Sequence, residues 1–352
     1  MQPACRINLA WACLGLLASC SDPGAVNNGV REAEYFVFGT RVQVTLADVD
    51  EDTANQAFTQ LQARLQSWHR DWHAWEPGKL TQINTILAGG GKTEADPDLI
   101  ELIRHSQWAE TATGGRFNAA IGRLVALWGF HTSDYPITAP PPDAAAITAL
   151  TEQNPSTLDL NLDETRVESG NPSVQLDFGG IGKGFAVDLA CKLLRELDVE
   201  NAIVNAGGDL RAFGAPVGRA WRVAVENPLG GVLGAMEIQG DEAVFTSGNY
   251  ARYLESSDQH RYAHILDPRT GWPAAGVLSV TVVSDTGWLA DAAATALVVA
   301  GLSEWNEVAT PLRLDEVLIT DEQGRVFATP ALAARMDWAP GIKPLSLEPD
   351  SP

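Results

Sequence analysis

The chain has 352 residues, of which 45% are hydrophobic and 20% charged, a composition typical of a packed globular protein rather than a disordered one. Its 24 Lys and Arg residues against 45 Asp and Glu residues give a net charge of −21, which disfavours binding to nucleic acid. The four cysteines are too few for a disulfide scaffold, and the absence of Cys-x-x-Cys and His-Glu-x-x-His motifs disfavours a zinc site.

The first nineteen residues resemble a bacterial export signal. Arg6 precedes an apolar run over residues 7–17 that is too short to span a bilayer. The run ends in Leu17-Ala18-Ser19-Cys20, which is typical of a lipobox, although an ordinary signal peptide that contains cysteines is the alternative. We predict cleavage before Cys20, lipidation of its thiol and a tether over residues 20–30, which would anchor a periplasmic body to a membrane.

Residues 31–340 are predicted to form one domain. In the first half we expect a strand over 35–46 broken at Gly39-Thr40, a helix carrying Phe58, Leu61, Leu65, Trp68 and Trp72, a helix from Asp96-Pro97 to Gly114-Gly115, a helix over 118–127, and an exposed insertion over 132–157. In the second half we expect a helix over 185–197, strands over 202–205, 221–238, 243–250 and 277–284, a helix over 290–300 ending at Gly301, and a hairpin over 314–327 turning at 322–324. Because no βαβ rhythm or linker is present, the pattern favours a single α+β domain of mixed sheets with packed helices, followed by an extended tail over 341–352.

Two glycine-rich segments follow predicted strands. Residues 177–184, Asp-Phe-Gly-Gly-Ile-Gly-Lys-Gly, lead into a helix, and backbone amides at a helix N-terminus suit an anion, with Lys183 adding a positive charge. A structural turn explains the same segment. Residues 205–209, Asn-Ala-Gly-Gly-Asp, permit close approach of a ligand, and a tight turn capped by Asp209 explains them equally well.

Residues 264–271, His-Ile-Leu-Asp-Pro-Arg-Thr-Gly, hold a candidate general base, a carboxylate and a guanidinium group. The same residues are also typical of a plain turn.

Asp291 and Thr295 are four residues apart on a predicted helix and therefore project from one face of it. Their oxygens are hard ligands suited to Mg²⁺ or Ca²⁺. The structural alternative is that Asp291 interacts with the helix dipole and Thr295 bonds back to a carbonyl. Trp68, Trp72 and Trp75 cluster near the end of another helix, where core packing is the default and an aromatic wall for a planar ring is the alternative.

Taken in order, these pieces resemble the ApbE family of FAD:protein FMN transferases, periplasmic enzymes that are often lipoproteins. The resemblance rests on Phe38-Gly39-Thr40, residues 115–118 through 127–130, residues 177–188, residues 205–209, Ser247-Gly248-Asn249-Tyr250-Ala251-Arg252, residues 264–271 and residues 290–295.

This resemblance implies a T-fold-like domain that uses Mg²⁺ to transfer FMN from FAD to a threonine hydroxyl of a partner protein, releasing AMP. The family's acceptors are subunits of membrane redox pumps of the Na⁺-translocating NADH:quinone reductase (Nqr) and Rnf types. By position it implies Mg²⁺ ligands at the Gly180 carbonyl, Asp291 and Thr295, catalytic roles for His264 and Asp291, and FAD contacts by Phe38, Trp75, Asn118, Lys183 and Ile265.

Two segments depart from the family pattern. Asn118 stands where the family has an Asp that contacts FAD, so an acceptor oxygen is kept and a charge is lost. Gly78-Lys79-Leu80, before Ile83-Asn84, replaces the family's Ser-Glu-Leu at a segment that contacts the flavin.

Three functions are compatible with these residues. FMN transfer to a protein is favoured, because a cation bound at Asp291 and Thr295, with Lys183, would offset the charge of a pyrophosphate in so acidic a chain. Hydrolysis of FAD to FMN and AMP would use the same site with water as the acceptor. A non-catalytic lipoprotein that stores or delivers FAD is the third. Intact Asp291, Thr295 and Lys183 favour an enzyme over a binding protein.

Overall fold

The computed structural model describes residues 29–132, 134–216 and 219–348. The predicted signal, Cys20 and most of the predicted tether lie outside these residues, so cleavage and lipidation stay predictions. None of the helices described is long and apolar enough to cross a membrane.

The described residues contain eight α-helices and eighteen strands. The helices are α1 Glu51–Asp71, α2 Lys79–Ala88, α3 Pro97–Ala112, α4 Gly122–Trp128, α5 Ala144–Thr151, α6 Gly182–Glu196, α7 Gly287–Leu312 and α8 Pro330–Arg335. The strands are β1 Arg31–Val37, β2 Thr40–Ala47, β3 Lys92–Glu94, β4 Ile137–Thr138, β5 Leu160–Leu162, β6 Arg166–Ser169, β7 Asn201–Ala206, β8 Asp209–Phe213, β9 Arg222–Glu226, β10 Val232–Glu237, β11 Asp241–Gly248, β12 Tyr253–Glu255, β13 Arg261–Ala263, β14 Val277–Ser284, β15 Val317–Asp321, β16 Val326–Ala328, β17 Asp337–Trp338 and β18 Leu345–Ser346.

A nine-stranded sheet organises the domain, in the order β1-β2-β7-β8-β11-β14-β15-β16-β18. Its neighbours are antiparallel except for β16 and β18, so the segment predicted as an extended tail adds an edge strand to the sheet. Three smaller sheets have the orders β17-β10-β9, β13-β12-β4 and β3-β6-β5. The single α+β domain of mixed sheets and packed helices is confirmed.

Side-chain alternation divides the large sheet between two hydrophobic clusters. In β11, Ala243 and Phe245 pack into the main core with α1, α6 and α7, whereas Val244 faces the second cluster beneath β9 and β10. In β15, Val317 and Ile319 face the main core and Leu318 faces the second cluster. Because successive side chains of a strand point to opposite faces, the sheet is covered on both sides by other elements.

Several predicted elements have different bounds in the structure. Residues 35–46 form a hairpin rather than one strand, because Phe38 and Gly39 adopt φ values of 54° and 68° and reverse the chain. The helix predicted over 118–127 begins only at Gly122, because residues 119–120 are held in backbone hydrogen bonds to Gln175 and Asp177.

The segment 132–157 is not simply an exposed insertion. It contains β4, which pairs with β12, and α5, whose Ile147 is fully buried in a third cluster with Leu124 and Trp128. Ile147 supplies the apolar contact that holds this segment against the domain.

Helix α7 continues beyond its predicted end. Gly301 has φ 63° and ψ −171°, so the helix breaks there as the glycine indicated, but a further helical stretch reaches Leu312. The hairpin predicted over 314–327 is present as β15 and β16.

Candidate active site

Three side chains from three elements form the charged centre of the candidate site. The Lys183 ammonium near the start of α6 lies 2.9 Å from an Asp209 carboxylate oxygen at the start of β8 and 3.5 Å from Asp291 Oδ1 on α7. Asp209 and Asp291 are 7% and 3% exposed. We call this group the buried triad; it carries two carboxylates and one ammonium.

Glycines bring the two helices close enough to build the triad. A Cβ on Gly184 would lie 2.2 Å from the Gly287 carbonyl oxygen, and a Cβ on Gly287 would lie 2.6 Å from the Gly184 carbonyl oxygen. At this contact the Gly184 amide donates a 2.9 Å hydrogen bond to Asp291 Oδ2. The amide near the α6 N-terminus is therefore used by the protein's own carboxylate rather than left free for an external anion.

The environment of the triad shifts its proton affinities. Burial raises the pKa of Asp291 to about 6, against the lowering effect of the Lys183 charge, because a carboxylate is costly to ionise away from water. Burial alone would lower the pKa of Lys183, but the two neighbouring carboxylates outweigh it and raise that pKa. Lys183 is therefore a paired cation.

Thr295 lies beside Asp291 on the same face of α7, as the spacing predicts. Its hydroxyl is 3.1 Å from the Ser247 hydroxyl on β11, so it does not bond back to its own helix as the structural alternative required. Gly180 abuts this hydroxyl, since a Cβ there would lie 3.0 Å from Thr295 Oγ1. Asp291 and Gly180 thus both lie beside Thr295, and the role of the three residues as Mg²⁺ ligands stays a prediction.

The donor set fits a hard divalent cation. Asp291 Oδ1 has only a long 3.5 Å contact with Lys183, and the Thr295 hydroxyl and the Gly180 backbone are neighbours. A carboxylate, a hydroxyl and a carbonyl are ligands suited to Mg²⁺, which keeps several waters and binds substrate phosphates. No group of three or more His, Cys, Asp or Glu side chains able to hold a metal occurs among residues 29–132, 134–216 and 219–348.

His264 lies on the same side of the domain with an unused ring nitrogen. Its Nδ1 is buried and has no hydrogen-bond partner among the described residues. Burial lowers the pKa of His264 to about 4, and the positive charges of Arg252 and Lys183 act in the same direction. The imidazole is therefore neutral at pH 7, and its lowered pKa makes it a weaker base than an ordinary histidine.

The residues that follow His264 form a turn. The backbone amides of Thr270 and Gly271 donate to the Asp267 carbonyl, and the Asp267 carboxylate accepts from the Arg269 guanidinium at 2.9 Å. Arg269 therefore occupies the Asp267 carboxylate. Ile265 is buried in the main core, and its carbonyl accepts from the Ala274 amide.

The aromatic residues divide between core and site. Trp68 and Trp72 are buried and stack with centroids 5.7 Å apart, which is the core-packing interpretation. Trp75 is partly exposed, and its indole nitrogen donates to Asp177 Oδ2 at 2.9 Å, so it stands beside the glycine turn at Gly179-Gly180. Phe38, at the β1–β2 turn, donates from its amide to His69 Nδ1 at 3.2 Å.

The two positions that depart from the family pattern have structural partners. The Asn118 amide nitrogen donates to the Pro155 carbonyl at 2.8 Å, and its oxygen accepts from the Ala120 amide at 2.7 Å. Asn84 is buried and makes hydrogen bonds with both the amide and the carbonyl of Leu176. Lys79 bridges Asp71 and Asp96. The FAD contact predicted for Asn118 stays a prediction.

Sequence analysis gave no role at the site to Asp209, Ser247 or Asp177. Asp209 completes the buried triad, Ser247 bonds Thr295, and Asp177 holds Trp75. Each lies within a quoted motif, but the partner in every case is at least 26 residues away along the chain. In the sequence these three residues are polar residues near the end of a predicted strand, a pattern that is also typical of a turn.

The fold and site define an α+β domain in which two helices and a sheet present hard oxygen donors beside the half-buried Lys183 ammonium. The family model described as the ApbE family matches residues 38–318. An FAD:protein FMN transferase of Rhodobacter capsulatus is 42% identical over 312 residues, which cover 87% of this chain and 58% of that protein. Another of Haemophilus influenzae is 30% identical over 263 residues, covering 73% of this chain and 74% of that protein.

Solved structures agree with these matches. The ApbE protein of Thermotoga maritima has a TM-score of 0.77 at 29% identity, covering 87% of this chain and 99% of that one. The apo flavinyl transferase ApbE of Pseudomonas stutzeri has a TM-score of 0.77 at 26% identity, covering 89% and 98%. The chain belongs to the ApbE family, and it spans less than two thirds of the length of the Rhodobacter capsulatus relative.

Proposed function

We propose that the protein is an Mg²⁺-dependent FAD:protein FMN transferase that moves FMN from FAD to a threonine hydroxyl of a partner protein and releases AMP. The observation that carries the proposal is the buried Asp291 carboxylate beside Thr295 and Gly180, with one oxygen bonded to an amide and the other available to a cation. The names of the relatives support the transferase activity.

The reaction exchanges one phosphorus–oxygen bond for another. The threonine oxygen bonds to the phosphorus of the FMN half, the bond from that phosphorus to the bridging oxygen breaks, and the electron pair leaves with AMP. The hydroxyl proton must pass to a base, since an alcohol is a poor nucleophile at neutral pH. Neutral His264, with Nδ1 unpartnered, is the base we assign.

The chain's own residues supply binding and orientation. Asp291, Thr295 and the Gly180 carbonyl would hold Mg²⁺, which when bound offsets the negative charge of the pyrophosphate and of the leaving group. The Gly184 amide fixes the position of Asp291 Oδ2, and the Lys183 ammonium lies 3.5 Å from Oδ1. Trp75, beside the glycine turn, offers an aromatic surface for a flavin contact.

We further propose a setting for this reaction at a bacterial membrane. The lipobox ending at Cys20 supports a lipid-anchored protein facing the periplasm, and the family resemblance supports acceptor subunits of the Nqr or Rnf type. Cys20→Ala should move the protein from the membrane fraction to the soluble fraction. Retention of this variant in membranes would contradict the anchor.

The activity is tested with purified protein, FAD, Mg²⁺ and an acceptor subunit of such a pump. We expect the intact mass of the acceptor to rise by one FMN residue, with one AMP formed per modified acceptor, and no change when the acceptor threonine is replaced by alanine. AMP and free FMN without acceptor labelling would indicate a hydrolase, and FAD binding without AMP would indicate a carrier. Full activity in EDTA would contradict the Mg²⁺ requirement.

A further inference from the structure

We infer that Asp209 is a positioning residue: it holds the Lys183 ammonium away from Asp291 and so keeps Asp291 Oδ1 open to the cation. The inference rests on the proposed Mg²⁺ site. It assigns Asp209 a role that acts through Lys183.

The distances support these separate roles for Asp209 and Asp291. Lys183 Nζ lies 2.9 Å from Asp209 Oδ2 as a close ion pair, and 3.5 Å from Asp291 Oδ1, which is at the outer limit of a hydrogen bond. Asp291 Oδ2 is already bonded to the Gly184 amide. Oδ1 is therefore the oxygen that remains for a metal, and Lys183 is its competitor.

Asp209 is itself fixed by the sheet. It is the first residue of β8, directly after the Gly207-Gly208 turn, whose φ values are 71° and 102°. Its Oδ1 accepts a 2.8 Å hydrogen bond from the Thr246 amide of β11. Both carboxylate oxygens thus have protein partners, one from the sheet and one from Lys183, which favours a holding role over direct metal ligation.

The negative charge of Asp209 explains why its contact with Lys183 matters for the cation site. The triad carries two negative charges and one positive charge, so it attracts a divalent cation. Without the Asp209 charge the triad would be neutral, and Lys183 would have one carboxylate left, Asp291. A lysine paired closely with Asp291 would compete for Oδ1 and repel Mg²⁺, and both effects are strong in a buried site.

The test measures Mn²⁺ binding by electron paramagnetic resonance and by competition with Mg²⁺. It compares four proteins: wild type, Asp209→Asn, Lys183→Met and the double variant. Asp291→Asn identifies the site, since it should remove the binding. For Asp209→Asn we expect the Kd for Mn²⁺ to rise by at least about tenfold. For the double variant we expect the Kd for Mn²⁺ to return to within about threefold of the wild-type value. This variant lacks both the Lys183 ammonium, which competes for Asp291 Oδ1, and the Asp209 carboxylate that holds it.

The turnover readout follows from the same argument. Asp209→Asn should shift the Mg²⁺ concentration for half-maximal FMN transfer upward, with the rate at saturating Mg²⁺ falling less. The inference would be overturned by unchanged Mn²⁺ affinity in Asp209→Asn, or by a double variant as weak as Asp209→Asn, which would make Asp209 a ligand or a structural residue. Wild-type protein that binds no Mn²⁺ with or without FAD would instead overturn the proposed Mg²⁺ site, and this inference with it.

Discussion

Two clusters of charge include residues of helix α7, one on each side of the break at Gly301, and they differ in whether the carboxylate from α7 is buried or partly exposed. The buried triad before the break leaves Asp291 Oδ1 with a single 3.5 Å contact. After the break, Glu304 accepts from Arg116 and Arg269 at 3.0 Å each, and Arg116 also pairs with Glu307. We call this second group the Glu304 network.

The comparison shows that the number of charges does not identify a site. In the Glu304 network each guanidinium meets two carboxylates, Asp267 being the second for Arg269, and Glu304 is 37% exposed at its side chain. In the triad a carboxylate is buried with an oxygen that the protein does not saturate. Burial of an incompletely paired charge is costly, so it persists where a ligand completes it.

The largest expected effect is at the unsaturated oxygen. Asp291→Asn keeps the shape of the side chain and removes its charge, so FMN transfer should fall by about 10²–10³-fold. Thr295→Ala should act in the same direction but more mildly, because water can replace a neutral ligand. Transfer rates over a Mg²⁺ titration, with circular dichroism as the fold control, check both. An Asp291→Asn enzyme with wild-type turnover would remove the metal assignment.

A second effect concerns His264 and pH. Its pKa is about 4 in the folded protein and about 6.5 when unfolded, so the unfolded chain binds the extra proton between those values and acid favours unfolding. His264→Gln should therefore lose less stability than wild type between pH 7 and pH 4, by about 2–3 kcal/mol. Urea denaturation at both pH values gives the difference. Parallel losses in the two proteins would show that His264 does not have the lowered pKa.

A third effect tests how the triad is assembled. Gly184→Ala places a methyl group 2.2 Å from the Gly287 carbonyl oxygen, so α6 and α7 must separate. We expect a loss of about 1–3 kcal/mol in the free energy of unfolding, together with weaker Mn²⁺ binding. Gly230→Ala is the control, because no atom beyond its chain neighbours lies within 4 Å of a Cβ at that position. The positive φ of Gly230 means that this control measures backbone strain without a steric clash. Normal stability in Gly184→Ala would mean that the two helices do not depend on this contact.

The smallest effect is expected in the Glu304 network. Glu304 and Arg269 are partly exposed, and the buried Arg116 keeps Glu307 as a partner, so Glu304→Gln should cost about 1 kcal/mol or less in the free energy of unfolding. The Mg²⁺ dependence of Glu304→Gln should be that of wild type, since Glu304 is partly exposed and water can solvate its oxygens. Thermal denaturation and a Mg²⁺ titration measure the two quantities. A raised Mg²⁺ requirement in this variant would remove the distinction between the clusters.

The sequence by itself determined the local features that depend on near neighbours. Periodicity placed α1, α3, α6 and β14, and the four-residue spacing of Asp291 and Thr295 put both on one helical face. The sequence also indicated the helix break at Gly301, because the ability of glycine to adopt a positive φ is a property of the residue itself. The motif order was sufficient for the family resemblance, which the family match confirms.

Tertiary structure decided which of these residues are partners. Asp209 and Lys183 are 26 residues apart, and Lys183 and Asp291 are 108 apart, so no local pattern reports their contact. The fold also decided that Ile147 is buried, because its burial depends on surfaces supplied by distant segments. Asp291 reaches its amide partner only where Gly184 meets Gly287, and that contact exists only when two helices pack against one sheet.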